Sequence, residues 1–152
     1  MVNCMDNTLS GLTGWGTSEV RSEPITQNFA IKIASEVINV SKSEGYEITD
    51  INGISADEYL DAESGKRIEE LKNKMLESAK LAGSASRPSF GQDVLKKRRT
   101  EVDFLTGYIS KIGKKNNVKT PVCDRITEIV NNLGVGFDPS PNHLDEIEKM
   151  IN

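Results

Sequence analysis

Four polar side chains stand at spacings that could assemble a site for a small molecule. Asn3 and Asn7 lie one helical turn apart, so both amides leave the same face of a helix. Each offers two donors and an acceptor, a match for a carbonyl, a carboxylate or a hydroxyl. Ser89 follows Pro88 at an expected helix start, where free N–H groups and the positive end of the dipole favour a carboxylate. Glu101 is expected to begin a helix and to share a face with Leu105, Tyr108 and Ile112. A carboxylate on such a stripe is costly without a partner. Each residue also has a purely structural reading. One asparagine could bond its own helix while the other faces water. Ser89 could be a capping serine worth about 1 kcal/mol. Glu101 could favour a helix N-terminus by under about 1 kcal/mol. Residue types and spacing leave both readings open.

Other chemistry finds little footing. Cys4, Cys123 and the lone His143 are too few for a zinc site or a disulfide framework, so no metal is expected. Gly11-Leu-Thr-Gly14-Trp-Gly16 reverses the spacing of a dinucleotide-binding loop and follows a helix rather than a strand. No P-loop, nucleophile elbow or metalloprotease helix is present, and Ser–His catalysis has little support. A net charge of −4 gives no general attraction to nucleic acid or an acidic membrane surface. The basic run Lys96-Lys97-Arg98-Arg99 reads as a solvated helix end in preference to a phosphate-binding patch. No apolar run approaches the roughly 18–20 residues of a membrane span, and no signal-peptide pattern opens the chain. The expected address is the cytoplasm.

The elements that must position these residues all read as helices. With 36% apolar and 28% charged residues over 152 positions, the chain suits one folded domain. Val2, Met5, Leu9 and Leu12 form a first apolar stripe, expected to end among Gly11, Gly14 and Gly16. Pro24 opens a second helix with Ile25, Phe29, Ile33 and Val37 on one face and Gly45 as its stop. A linker holds Asn52-Gly53. Ser55 and Glu58 then have capping-box spacing for a helix from Ala56, with a break at Ser64-Gly65 before Ile68, Leu71 and Met75. Gly83 to Ser86 reads as a loop and Pro88 as a short helix start. Thr100 is expected to cap a helix carrying Leu105, Tyr108, Ile109 and Ile112, with Gly107 allowing close packing. Thr120-Pro121 starts another, ending at Gly134, and a last one runs from about Asn142 to Ile151. The expectation is an all-α domain of about six to eight helices around one core.

From Arg87 to Leu133 the chain resembles the C-terminal domain of the ketopantoate reductase (2-dehydropantoate 2-reductase) family. The signature is S-x-x-Q-D, R-x-T-E-x-D, a Gly-ended pair and a T-P-V helix start. Ser89, Gln92, Asp93, Arg98, Thr100, Glu101, Asp103, Gly107, Thr120, Pro121 and Val122 match it in order. Asn3 and Asn7 resemble the family's N-x-x-x-N helix, and Glu36-Val37 followed by Gly45 resembles the next one. Two departures stand out. Thr106 replaces the usual Asn, and Phe90-Gly91 replaces the common Met-Leu.

The resemblance implies a fold like the C-terminal domain of 6-phosphogluconate dehydrogenase over residues 1–152. It implies that Asn3, Asn7 and Ser89 bind a 2-keto acid and that Glu101 is catalytic, with Glu36 a weaker candidate at the cleft and Gln92 and Asp93 structural. It places a catalytic lysine four residues before Asn3, ahead of Met1. It also implies an N-terminal Rossmann domain, outside this chain, that binds NADPH. The implied reaction is NADPH-dependent reduction of ketopantoate to pantoate, on the route to pantothenate and coenzyme A. A related 2-keto acid or opine as substrate, and a helical interaction or dimerisation module, are the alternatives. The chain alone is expected to be inactive and to expose an apolar docking patch that makes a homodimer plausible.

Overall fold

The computed structural model describes residues 1–82 and 86–151, with the side chains of the last two of these left aside. The expected loop from Gly83 falls largely outside the described residues. The fold is all-α, with no β-strand among the described residues. A π-helical turn, Asn3–Asn7, runs straight into α1 (Thr8–Thr13). Then come α2 (Thr17–Ser22), α3 (Pro24–Ser43), α4 (Ala56–Glu63), α5 (Ile68–Ala82) and α6 (Ser89–Leu95). A 3₁₀ turn at Val102–Phe104 precedes α7 (Thr106–Lys115), α8 (Pro121–Leu133) and α9 (His143–Ile151). No helix among these is long and apolar enough to cross a membrane.

The axis of the domain is α3. Pro24 sits in its first turn, and Phe29, Ile33, Val37 and Ile38 are buried along it. Burial of successive residues such as Ile33, Ala34, Ser35 and Glu36 shows that α3 is surrounded rather than laid on a surface. It meets the π-turn, α2, α4, α7 and α8. Gly45 follows it at φ 82°, the left-handed conformation expected of a C-terminal glycine. The expected capping box forms as well: Ser55 N–H donates to Glu58 Oε2 at 2.9 Å, and Glu58 N–H donates back to Ser55 Oγ at 3.3 Å.

Three expectations need correction. Gly11 does not end the first helix; it lies inside α1, and the stop is Gly14 at φ 78°. Gly16 then caps α2, a two-turn helix too short to leave a periodic stripe. Thr100 caps nothing, because Glu101 precedes the 3₁₀ turn and α7 starts only at Thr106. That turn buries Val102 while Phe104 is left 83% exposed. Tyr108 also faces water, at 53%. The buried residues of α7 are Thr106, Ser110 and Gly113, since α7 closes on its neighbours through small side chains. A Cβ on Gly113 would stand 2.8 Å from Thr120 Cγ2, one on Gly107 would be 3.2 Å from Thr127 Cγ2, and the Thr106 and Thr127 hydroxyls pair at 2.8 Å. Large apolar residues are displaced to the flanks of so close a contact.

The N-terminus of α8 takes its cap from another helix. Buried Glu36 accepts from Val122 N–H and Cys123 N–H, both at 2.8 Å. Two of the free donors of a helix start are thus satisfied by a carboxylate on α3. Glu36 is therefore a cross-helix brace. Burial pushes its carboxyl above the usual range, against the opposing pull of the two N–H groups.

Glu36→Ala leaves two buried donors without an acceptor and should cost on the order of 3 kcal/mol in urea unfolding. Glu58 gives the opposite pH signature. Lys74 and the Ser55 N–H hold its carboxyl down at about 2. Its stabilisation is present above the unfolded carboxyl value and is lost as pH falls towards 2. The pair is half-buried and still wetted on its Lys74 side, so solvent screening keeps its worth to about 1 kcal/mol. Glu58→Gln should lower Tm by about 2–3 °C at pH 7 and leave it unchanged at pH 2.

Candidate functional site

Asn7 is buried to 7% exposure at the end of the π-turn, while Asn3, one turn earlier, is exposed. Asn7 Nδ2 donates to Ser89 Oγ at 3.4 Å, and Ser89 Oγ donates to Glu101 Oε1 at 3.2 Å. An amide, a hydroxyl and a carboxylate from three separate segments therefore form one chain of hydrogen bonds. Ser89 and Glu101 are both exposed, so the chain runs from a buried amide out to open surface. Ser89 is the first residue of α6, with Pro88 before it in extended conformation. At seven residues α6 is too short for its dipole to dominate, and the serine's own hydroxyl carries the contact.

Interlocking of α6 with α1 brings these groups together. Gly11 has no Cβ because Phe90 occupies that space; a Cβ there would lie 2.1 Å from Phe90 Cδ1. Gly91 repeats the device in reverse, its missing Cβ standing 2.5 Å from Ser10 Oγ. Phe90 itself is fully buried. Ser10 Oγ in turn donates to the Trp15 carbonyl at 2.6 Å, and the Arg87 guanidinium donates to the Gly14 carbonyl. Ser89 lies one residue before Phe90, so this lock fixes its distance from Asn7. The Phe90-Gly91 pair thus serves packing directly.

Sequence reasoning missed the polar network behind the π-turn. Asp6, between Asn3 and Asn7, is buried against Arg21 of α2, whose Nε and Nη2 donate to Asp6 Oδ2 at 2.9 and 2.6 Å. Arg21 Nη1 donates to Ser78 Oγ of α5 at 2.8 Å. Burial raises the Asp6 carboxyl above its usual range, and the guanidinium opposes that rise. Nothing in the spacing pairs residues 6 and 21, because the contact crosses from one helix to the next. The basic run is an exposed helix end as expected, and Lys97 within it has a further role. Lys97 Nζ donates to the Gly136 and Phe137 carbonyls at 3.0 and 3.3 Å and pairs with Asp138, so it pins the segment leading to α9.

No group of three or more histidine, cysteine or acidic residues is placed to hold a metal among the described residues. The glycines at 11, 14 and 16 form no phosphate cradle. Gly11 is filled by Phe90, Gly14 ends a helix against Pro139, and no strand precedes them.

Residues 1–134 match the family model described as ketopantoate reductase PanE/ApbA C terminal. The chain belongs to the ketopantoate reductase family. Among curated relatives, the 2-dehydropantoate 2-reductase of Lactococcus lactis is 49% identical over 45 residues, which are 29% of this chain and 14% of the relative. That of Yersinia pestis is 26% identical over 129 residues, 85% of this chain and 35% of the relative. Among solved structures, D-mandelate dehydrogenase with NADH matches 86% of this chain and 46% of that chain, at 26% identity and a TM-score of 0.62. An Enterococcus faecalis protein assigned as a 2-dehydropantoate 2-reductase matches 97% of this chain and 39% of that one, at 22% identity and a TM-score of 0.64. The family chain thus spans half or less of the proteins it matches.

Overpacking at the lock should be visible in stability. Gly11→Ala is expected to cost about 2–3 kcal/mol in denaturant unfolding, near the top of the range for a methyl forced into a filled space. Phe90→Leu added to it should restore at least half of that loss, a coupling of about 1 kcal/mol or more between two touching residues.

Proposed function

We propose that residues 1–152 are the C-terminal, substrate-binding domain of an NADPH-dependent 2-dehydropantoate 2-reductase. The observation that carries the reading is the hydrogen-bonded chain Asn7–Ser89–Glu101, with Asn3 on the same turn. These are the four residues that the family resemblance assigns to the active site, and an interaction module has no reason to gather them. Residues outside this chain hold the nucleotide in this proposal, since no cradle for its phosphates exists among the described ones. The exposed aromatics Phe104 and Tyr108, close in sequence to Glu101, offer apolar surface for a second domain to cover.

A bound nicotinamide would supply hydride chemistry at C2 of the keto acid, and the proton for the C2 oxygen would come from the lysine that the family resemblance implies ahead of Met1. The residues of this chain bind and orient. Asn3 and Asn7 offer amide donors to the substrate's carbonyl and hydroxyl oxygens. Ser89 offers its hydroxyl to the carboxylate. Glu101 holds the Ser89 proton until substrate arrives and then accepts from a substrate hydroxyl, as the single Ser89 proton turns to the substrate carboxylate. Such positioning matters because a misplacement of about 1 Å can cost on the order of a hundredfold in rate.

A different 2-keto acid is the second reading, favoured by the likeness to D-mandelate dehydrogenase. Comparing kcat/KM for ketopantoate with that for the keto acid of mandelate separates the two. In the full-length reductase, Glu101→Ala should lower kcat/KM for ketopantoate at least about tenfold, or roughly 1.4 kcal/mol of transition-state stabilisation. Asp103→Ala, which breaks a bond from Asn131 Nδ2 at 3.0 Å, should cost much less. Equal effects would reduce Glu101 to a structural residue. Micromolar binding of NADPH to residues 1–152 alone, seen by calorimetry, would overturn the division of labour proposed here.

A further inference from the structure

We infer that Arg21 is a positioning residue: anchored on Ser78, its guanidinium grips Asp6 and so fixes the turn that presents Asn3 and Asn7. The functional half of this inference rests on the reading of those asparagines given above; the structural half does not.

The turn needs an outside support. Its N-cap, Val2, has helical backbone angles and no side-chain cap hydrogen bond, so no cap fixes the turn at Asn3. Its first bonds, from Cys4 N–H and Met5 N–H, both end on the Met1 carbonyl, at 2.9 and 3.2 Å. A π-turn is also a rare departure from the α-helix, and one that recurs at functional sites. Asp6 is the one charged residue in it, pointing inward while Asn3 points out.

Arg21 is unusually well placed to act as that support. All three of its guanidinium nitrogens are engaged, two on Asp6 Oδ2 and one on Ser78 Oγ. Its backbone is held too, because Gln27 Nε2 donates to the Arg21 carbonyl at 2.9 Å and to the Lys72 carbonyl at 3.3 Å. The planar fork joins the π-turn to α2 and α5 in one fixed geometry, which a lysine cannot reproduce. A buried ion pair of this kind is a poor source of net stability, since an apolar pair of similar volume often serves as well. Its use is in direction.

That difference supplies the test. In the 152-residue chain, Arg21→Met should speed hydrogen exchange of amides 3–8 at least tenfold while the amides of α8 keep their protection. Asp6→Leu with Arg21→Met should recover most of the lost Tm but not the protection of amides 3–8. Exchange that stays slow in that segment, or quickens equally in α8, overturns the clamp. In the full-length reductase, the double variant should raise KM for the keto acid at least fivefold with KM for the cofactor within twofold, and Arg21→Lys should recover only part. A fall in kcat alone, with both KM values unchanged, overturns the positioning role. Should the wild-type protein reduce no 2-keto acid, the proposed function fails, and the exchange experiment still decides whether Arg21 is the clamp.

Discussion

The bond that ties α8 to the central helix α3 is made by Glu36. Its two carboxylate oxygens hold the first N–H groups of α8. From α8, Thr127 reaches Thr106 and Asn131 reaches Asp103, which fixes the 3₁₀ turn and α7. Glu101 lies immediately before that turn. On its other side α3 packs against the π-turn itself. Glu36 therefore supports the Glu101 side of the site through α8, while the interlock of α1 with α6 supports the Ser89 side. Desolvating the Glu36 carboxylate is costly, and the two short N–H contacts offset that cost only while α3 and α8 keep their register.

Under the proposed function the candidate site is open because it is one wall of a cleft. Asn3, Ser89 and Glu101 are exposed, and only Asn7 is sunk into the fold. A groove of about 760 Å³ lies between Arg21, Asn52, Lys74 and Leu81, and neither Ser89 nor Glu101 lines it. Small polar ligands are ordinarily gripped in concave sites that exclude most water. A surface chain of hydrogen bonds gains strength when a second surface closes over it and lowers the local dielectric. The proposed function reads these residues as a preorganised half-site, with Ser89 already bonded to Glu101 rather than turned to solvent.

Much of this was legible in the residues, wherever local signals and burial agreed. Pro24, Gly45, the Ser55–Glu58 box and Thr120-Pro121 each mark a boundary through backbone chemistry that tertiary packing does not override. Reading failed where packing replaced pattern. Leu105, Tyr108, Ile109 and Ile112 have helical spacing, yet the close approach to α8 selects Thr106, Ser110 and Gly113 for the buried side. Gly11 looked like a breaker because its role as a socket for Phe90 depends on a helix some eighty residues away. The four candidate site residues were found through family resemblance, and spacing alone left each of them ambiguous. Asp6 and Arg21 left no signal at all, since an ion pair between helices obeys no periodicity.

The π-turn shows why that silence matters. An α-helix turns by about 100° per residue, so residues four apart are neighbours on one face and a residue between them points away. In the wider π-turn the bonds close on i and i+5, and each residue turns less. Asn3 and Asn7 remain neighbours in the wider turn. Asp6, one residue before Asn7, is brought to the side where Arg21 waits on α2. Five residues thus hold an outward amide, an inward carboxylate and an amide bonded to Ser89. Thr8 supports the change by donating its hydroxyl back to the Cys4 carbonyl, a bond that competes with regular helix geometry. The irregular turn is held at its C-terminal end on two adjacent residues, Asp6 by Arg21 and Asn7 by Ser89, both supplied by other helices. A regular helix would need neither, and would not place these three side chains in the same arrangement.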